Sequence, residues 1–243
     1  MLNKNVIKDI QSLSHKKNRV ESGLFIAEGP KIVNELITIA PERVEAIYAI
    51  PEWQSPPGSQ FSSLIHKVEA YELEKLSALQ TPNQVLIVMQ QFPAAEPESL
   101  KGLTLYLDAI QDPGNFGTIL RIADWFGIQH VICSNGCADL YNPKVVQSTM
   151  ASIARINVWY DEEENWLAKQ QLPVMAATLD GQSIYSHEKI PDGILLIGNE
   201  SKGVRNEFLK LATQKLTIPR IGAAESLNAA VATGIILSHL TAS

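Results

Sequence analysis

With 243 residues, 45% of them hydrophobic and 19% charged, the chain has the composition of one large or two ordinary globular domains, and not of a disordered or fibrous protein. Its first residues, MLNKNVIKDI, place charges where a secretory signal needs an apolar run, and AAVATGIIL, the nearest approach to a membrane segment, is too short to span a bilayer. A formal net charge of −6 argues against phosphate-driven adhesion to nucleic acid over the whole surface.

Apolar spacing at Val6, Ile10 and Leu13 predicts a first helix, followed by the basic cluster HKKNR (15–19) and the strand LFIAEG. Lys4, Lys8, Lys16, Lys17, Arg19 and Lys31 outnumber Asp9, Glu21 and Glu28, so the start of the chain is basic although the whole is acidic. Such a cluster suits a solvated helix end as well as an RNA contact. Pro30 opens another helix, VEAIYAI reads as a strand, EWQSPPGS as a loop, ELEKLSAL as a short helix and QVLIVMQQ as a buried strand. QFPAAEPESLKG has prolines and little periodicity and is the natural linker. The expected division is therefore a domain over 1–92, a linker over 93–101 and a second domain over 102–243.

The second half alternates strands with helices: LTLYLDAI, HVICS, INVWY, PVMAAT, ILLIGN and KLTIP are the strand candidates. One intervening helix is capped by Asn142 with Pro143 at its first position. Asp161 and Glu164 in DEEE have the spacing of an N-cap and its N3 acid, which predicts another helix start. The alternation predicts an α/β domain whose parallel sheet is covered on both faces. Cys133 and Cys137, the only cysteines, lack zinc-knuckle spacing, and the five histidines are scattered. No metal is expected, and the thiols read as buried and free in a reducing, cytoplasmic setting.

Three segments place polar residues at the ends of strand-like runs, where parallel sheets build ligand sites. In DPGNFGTILR (112–121), Asn115 and Arg121 flank the start of a helix, and Gly114 and Gly117 would let backbone approach a ligand. A helix cap and a surface charge would account for the same two residues. In LLIGNESKG (195–203), Glu200 follows Gly198 and could orient Arg121 through a charge-assisted bond, or belong to an ordinary turn. In ESLNAAVATGIILSHL (225–240), Ser226 suits an N-cap, whereas Asn228 among alanines is harder to explain by helix propensity.

In identity, order and spacing these segments resemble the signature motifs of the SpoU (TrmH-like) RNA ribose 2′-O-methyltransferases of the SPOUT superfamily. The resemblance implies a C-terminal parallel-sheet α/β domain threaded into a trefoil knot, which generic topology rules would exclude. It assigns catalysis to Arg121, Asn115, Glu200, Ser226 and Asn228. It implies S-adenosylmethionine as cofactor, held at Gly198, Ile218 and Leu227, with Thr178 in ATLDG as a further candidate. Because a guanidinium almost never loses its proton, Arg121 is expected to stabilise the developing alkoxide electrostatically. HKKNR and LFIAEGPKIVNEL resemble the small α/β, ribosomal-protein-like substrate-binding domain that precedes the catalytic domain in such enzymes. His15, Lys16, Lys17 and Arg19, together with Arg121, are then the expected RNA contacts.

The implied substrate is structured RNA, ribosomal RNA in preference to transfer RNA, and a non-catalytic RNA-binding protein of the same fold is the alternative from another class. A homodimer is implied as well, since AAVATGIIL is apolar around most of its helix. The chain departs from the family pattern at Arg220, where Met commonly follows Ile-Pro, and at Ala151, where Gly is usual. In TPNQ, Asn83 and Gln84 replace Gln-Gly, so no special backbone geometry is expected there. A Rossmann-type methyltransferase is disfavoured, because DPGNFG is not a G-x-G loop and the following strand ends CSNG.

Overall fold

A computed structural model describes residues 2–57, 61–79 and 81–241; Gly58 and Ser59 of the expected EWQSPPGS loop lie outside the described residues. In chain order the helices and strands are α1 (Lys4–Ser12), α2 (Lys16–Ser22), β1 (Leu24–Glu28), α3 (Pro30–Ile39), β2 (Val44–Ala49), β3 (Ile65–Lys67), α4 (Ala70–Leu76) and β4 (Val85–Gln90). They continue with β5 (Leu103–Leu107), α5 (Pro113–Trp125), β6 (His130–Cys133), α6 (Pro143–Thr149), β7 (Asn157–Tyr160), β8 (Val174–Ser183), β9 (Gly193–Ile197), α7 (Asn206–Leu209), β10 (Gln214–Thr217) and α8 (Ala229–Thr241). The chain divides into two compact units, Met1–Pro93 with Asp139–Ala154, and Ala94–Ala138 with Arg155–Ser243.

The first unit is a four-stranded sheet in the order β1-β4-β2-β3, antiparallel except for the β2–β3 pair. Ile10 and Leu13 of the first helical segment pack with Ile26, Leu73, Leu76, Leu86 and Val88. Gly23, at φ 68°, ends α2 by donating its N–H to the Arg19 carbonyl at 2.9 Å. Residues 139–154 belong to this unit, whereas the linker position assigns them to the second domain. Helix α6 packs on β1, and the Phe25 and Tyr141 rings meet at 4.9 Å between centroids. Burial of apolar side chains such as Val145 and Val146 outweighs proximity in sequence.

Two positions at which the chain departs from the family pattern carry the backbone geometry that glycine would suit. Gln84 lies at φ 57° and Ala151 at φ 70°, both in the left-handed region. The special turn at Gln84 is thus present, contrary to the expectation from its missing glycine. Gln84→Gly is expected to raise stability by about 0.5–1 kcal/mol, the steric relief exceeding the added chain entropy. A higher urea midpoint at unchanged slope would show it.

The second unit is a six-stranded sheet in the order β10-β8-β9-β5-β6-β7, parallel throughout. Side chains alternate across it: Tyr106, Ile132, Ile194 and Leu196 join one core with Trp166 and Phe208, while Leu105, Leu107, Val131 and Leu195 are buried on the opposite face. Both faces are covered, as the strand–helix alternation predicts. In α5 the buried residues Phe116, Ile119, Leu120 and Ala123 recur at helical spacing.

DEEE does not start an α-helix. Asp161 is buried, and its carboxylate accepts from Trp166 N at 3.0 Å and from the Tyr106 hydroxyl at 3.2 Å. Burial, and then the Asp161 charge, push the Tyr106 phenol far above its usual range. Glu164 turns away at φ 52° to meet Arg205. Strand β8 bulges between Ala176 and Gln182, where Gly181 passes β10 so closely that a Cβ would sit 2.5 Å from the Lys215 carbonyl carbon.

Candidate active site

In a parallel sheet the loops leaving β5 and β9 emerge at the same edge, and the start of α8 meets them there. Asp112, not Asn115, caps α5: its Oδ1 accepts from Asn115 N at 2.8 Å, and Pro113 takes the first helical position. The GNFG segment is therefore the first turn of the helix and not a loop. Arg121 lies roughly two turns inside the helix and does not flank its start, and Gly114 and Gly117 are helical.

This register turns the Asn115 side chain towards two partners. Its Nδ2 donates to Glu200 Oε1 at 2.8 Å, and its Oδ1 accepts from Asn228 Nδ2 at 2.7 Å. Asn228 caps α8 in place of Ser226, its Oδ1 accepting from Ala230 N at 3.0 Å and Val231 N at 3.2 Å. A hydrogen-bonded chain Asn228–Asn115–Glu200 thus joins the three sequence-predicted segments and orients the Asn115 amide from both sides. Such a chain can hold a charged acceptor and two amides in one geometry before any ligand arrives.

Two predicted catalytic residues stand apart from it. Arg121 is exposed on α5, and none of the ion pairs among the described residues includes it. The expected Arg121–Glu200 bond is not formed; Glu200 Oε1 accepts from Asn115 instead. Ser226 is exposed in the segment before α8.

Of the predicted cofactor positions, Gly198 follows β9 and Ile218 follows β10. Ile218 follows β10 directly, and Thr217 Oγ1 reaches the Leu179 carbonyl at 3.3 Å, which brings the bulge carrying Thr178 beside it. Thr178 Oγ1 is buried without a well-formed hydrogen bond, although the Asp180 carboxylate is near enough to feel it. Leu227 is 47% exposed and Ile221, three residues beyond Ile218, is fully exposed. An amphipathic donor such as S-adenosylmethionine, with its flat base, fits apolar flanks of this kind beside buried polar atoms. Gly198 has a further reason to be glycine: a Cβ would lie 2.3 Å from Gly203 C and Val204 N.

The predicted RNA contacts separate into two kinds. His15, Lys16 and Lys17 are exposed, with Lys17 in a loose 3.8 Å pair with Glu21. Arg19 is buried, donating to the Leu13 carbonyl at 2.7 Å and pairing with Asp139, so it is a structural residue and cannot meet RNA. Cys133 is buried and free as expected, and burial raises its thiol pKa; Cys137 is only partly buried. Among the described residues no His, Cys, Asp and Glu group could hold a metal, and no helix is long and apolar enough to cross a membrane.

Sequence reasoning missed a network beside Glu200, in which Arg205 joins Asp108 and Glu164. Asp108 carried a signal, an acid ending the apolar run LTLYL, but nothing local named its partner. Arg205 holds the Glu164 carboxyl below its usual range, chiefly through their hydrogen bonds. The stabilisation this pair supplies is full above the ordinary value of 4.5 and is lost as pH falls through the lowered one.

The SpoU rRNA Methylase family matches residues 102–238, and an MRM3-like substrate binding domain matches residues 4–87. The chain is 30% identical over 244 residues to the 23S rRNA (guanosine(2553)-2′-O)-methyltransferase RlmP of Bacillus subtilis, covering 96% of this chain and 95% of that protein. The AdoMet-bound rRNA methyltransferase of Sinorhizobium meliloti superposes with TM-score 0.85 at 28% identity, covering 99% of this chain and 95% of that one. A TrmH-family protein of Porphyromonas gingivalis gives TM-score 0.84 at 37% identity, covering 99% and 98%. On sequence, fold and the geometry of its three motifs, the chain belongs to the SpoU rRNA methylase family.

Proposed function

We propose that the protein transfers a methyl group from S-adenosylmethionine to a ribose 2′-hydroxyl of ribosomal RNA. The observation that carries this reading is the Asn228–Asn115–Glu200 chain, which draws the three family motifs into one site. The relatives' names favour ribosomal over transfer RNA. When bound, the donor supplies an electrophilic methyl on a sulfonium. The chain's own residues then have to align the ribose and carry its developing charge. Arg121, with no intramolecular ion pair among the described residues, is available to a phosphate or to the alkoxide. Glu200 fixes Asn115, and Asn228 fixes the start of α8 against it. Gly198, Ile218, Leu227 and Thr178 would hold the donor, and Ser226, exposed next to Leu227, would face the reacting groups. The trefoil path of the C-terminal segment is proposed from family membership. Incubating the protein with labelled donor and unmodified ribosomal RNA, followed by mass-spectrometric mapping, should reveal one new 2′-O-methyl nucleotide. RNA left unlabelled at saturating donor would leave the RNA-binding alternative.

The N-terminal unit supplies RNA affinity through His15, Lys16 and Lys17. The double change Lys16→Glu and Lys17→Glu in the full chain should lower RNA affinity about tenfold or more. It should also flatten the slope of log affinity against log salt by roughly 1.5. Donor affinity should hold, and an unaltered salt slope would refute the assignment.

The protein acts as a homodimer through the region of α8. That helix is apolar around most of its surface, leaving Val231 50% exposed, and Tyr185 beside it is 65% exposed. Light scattering at micromolar concentration should give twice the chain mass, and Val231→Glu should shift it towards the monomer.

A further inference from the structure

We infer that Arg205 is a positioning residue for the reaction proposed above: it locks the turn that carries Glu200. The inference rests on that reading of the site and adds a component which none of the three motifs contains.

The turn after β9 is closed on itself and then pinned at both ends to one dipeptide. Asn199 and Gly203 exchange backbone hydrogen bonds at 3.1 and 2.9 Å, and Asn199 Oδ1 accepts from Ser201 N at 3.0 Å and Lys202 N at 3.2 Å. At its entry, Asn199 Nδ2 donates to the Ala109 carbonyl at 2.8 Å. At its exit, Arg205 gives both its backbone N–H and its Nε to Asp108, each at 2.7 Å. Glu200 is therefore suspended between two anchors on Asp108–Ala109, the pair that follows β5 and precedes the helix carrying Asn115.

The far side of the guanidinium is equally occupied. Nη1 and Nη2 form a fork on Glu164 at 2.9 and 2.7 Å, Nη1 also meets Glu207 at 2.9 Å, and the Phe208 ring lies 4.7 Å below. Asp108 is fully buried and further receives the Ser134 hydroxyl at 3.2 Å, while Glu164 receives Asn135 N at 2.8 Å. The loops leaving β5, β6, β7 and β9 thus converge on one cation. Two non-glycine residues of this network, Ala109 at φ 53° and Glu164 at φ 52°, sit in the left-handed region. Strained backbone of this kind persists where surrounding contacts over-determine it, and it tends to gather at functional sites. A planar five-donor fork can satisfy these carboxylates together, which a lysine cannot.

The test is a double-mutant cycle between Arg205 and Glu200, read as turnover at saturating S-adenosylmethionine on ribosomal RNA. Since Arg205→Ala strands the buried Asp108 carboxylate, Arg205→Lys and Glu164→Gln are made beside it; they keep a cation at Asp108 and remove only the fork. Thermal melting verifies that each protein is folded at the assay temperature. In the wild-type background each of these two changes should reduce turnover about tenfold. In a Glu200→Gln background, whose residual rate is measured at long times, the same changes should cost less than about twofold. Equal losses in both backgrounds would mean that Arg205 contributes to stability alone, and would overturn the inference. If the wild-type protein binds S-adenosylmethionine but transfers no methyl group, the proposed function falls first, and the inference with it.

Discussion

Arg121→Ala is expected to keep the fold and the affinity for S-adenosylmethionine while turnover falls by roughly two to three orders of magnitude. The side chain is exposed on α5 and makes no ion pair among the described residues, so its removal leaves no buried partner unsatisfied. Its loss should therefore appear in the chemical step and in RNA engagement, not in melting temperature. Arg121→Lys refines the role. If arginine acts by holding a positive, planar donor against the developing alkoxide, lysine should leave weak activity that does not grow with pH. Rescue that strengthens as pH rises would instead assign proton removal to this position. Wild-type turnover in Arg121→Ala would remove the residue from the mechanism.

Asn115→Asp should damage the enzyme more than Asn115→Ala at neutral pH. The alanine variant deletes the centre of the Asn228–Asn115–Glu200 chain and should reduce turnover about tenfold. The aspartate variant puts a second carboxylate where an N–H now meets Glu200 Oε1 at 2.8 Å. Two carboxylates so close cannot both ionise cheaply, so one pKa rises strongly. Turnover is expected to fall about a hundredfold at neutral pH and to recover in part on acidification, as a shared proton restores a hydrogen bond. The alanine variant should show no such recovery. The introduced carboxylate would stand in the first turn of α5, where negative charge suits the helix dipole, so folding should persist. Matching pH profiles for the two variants would rule out the direct Asn115–Glu200 contact during turnover.

The strands other than β3, the parallel sheet and the convergence of three motifs were legible because each is written in local pattern: apolar runs, Pro and Gly punctuation, polar residues at strand ends. The errors arose where a residue had a distant competitor. Arg19 reads as part of a basic cluster until Asp139, 120 positions away, draws it inside. Asp161 has the spacing of a cap, yet its carboxylate serves Tyr106 across the sheet. Ser226 and Asn228 are both good capping residues, and the partner available at Asn115 distinguishes them. The Arg205–Asp108 contact spans 97 positions and has no local signature. At Gln84 the missing glycine pointed away from a left-handed backbone, whereas the surrounding packing imposes it at a modest cost.

Because Asp139–Ala154 completes the first unit, that unit is discontinuous along the chain, and this orders events during biosynthesis. The ribosome releases Met1–Pro93 well before α6 exists, and β5, α5 and β6 must be made in between. At ordinary elongation rates the interval is on the order of seconds, long compared with the folding of small elements. Throughout it the surface of β1 that α6 will cover stays bare, and Arg19 lacks its counter-ion. The nascent chain thus passes through a stage with an apolar sheet surface on display, a natural point for chaperone engagement. Translation halted in the linker would release a fragment unable to close its own core.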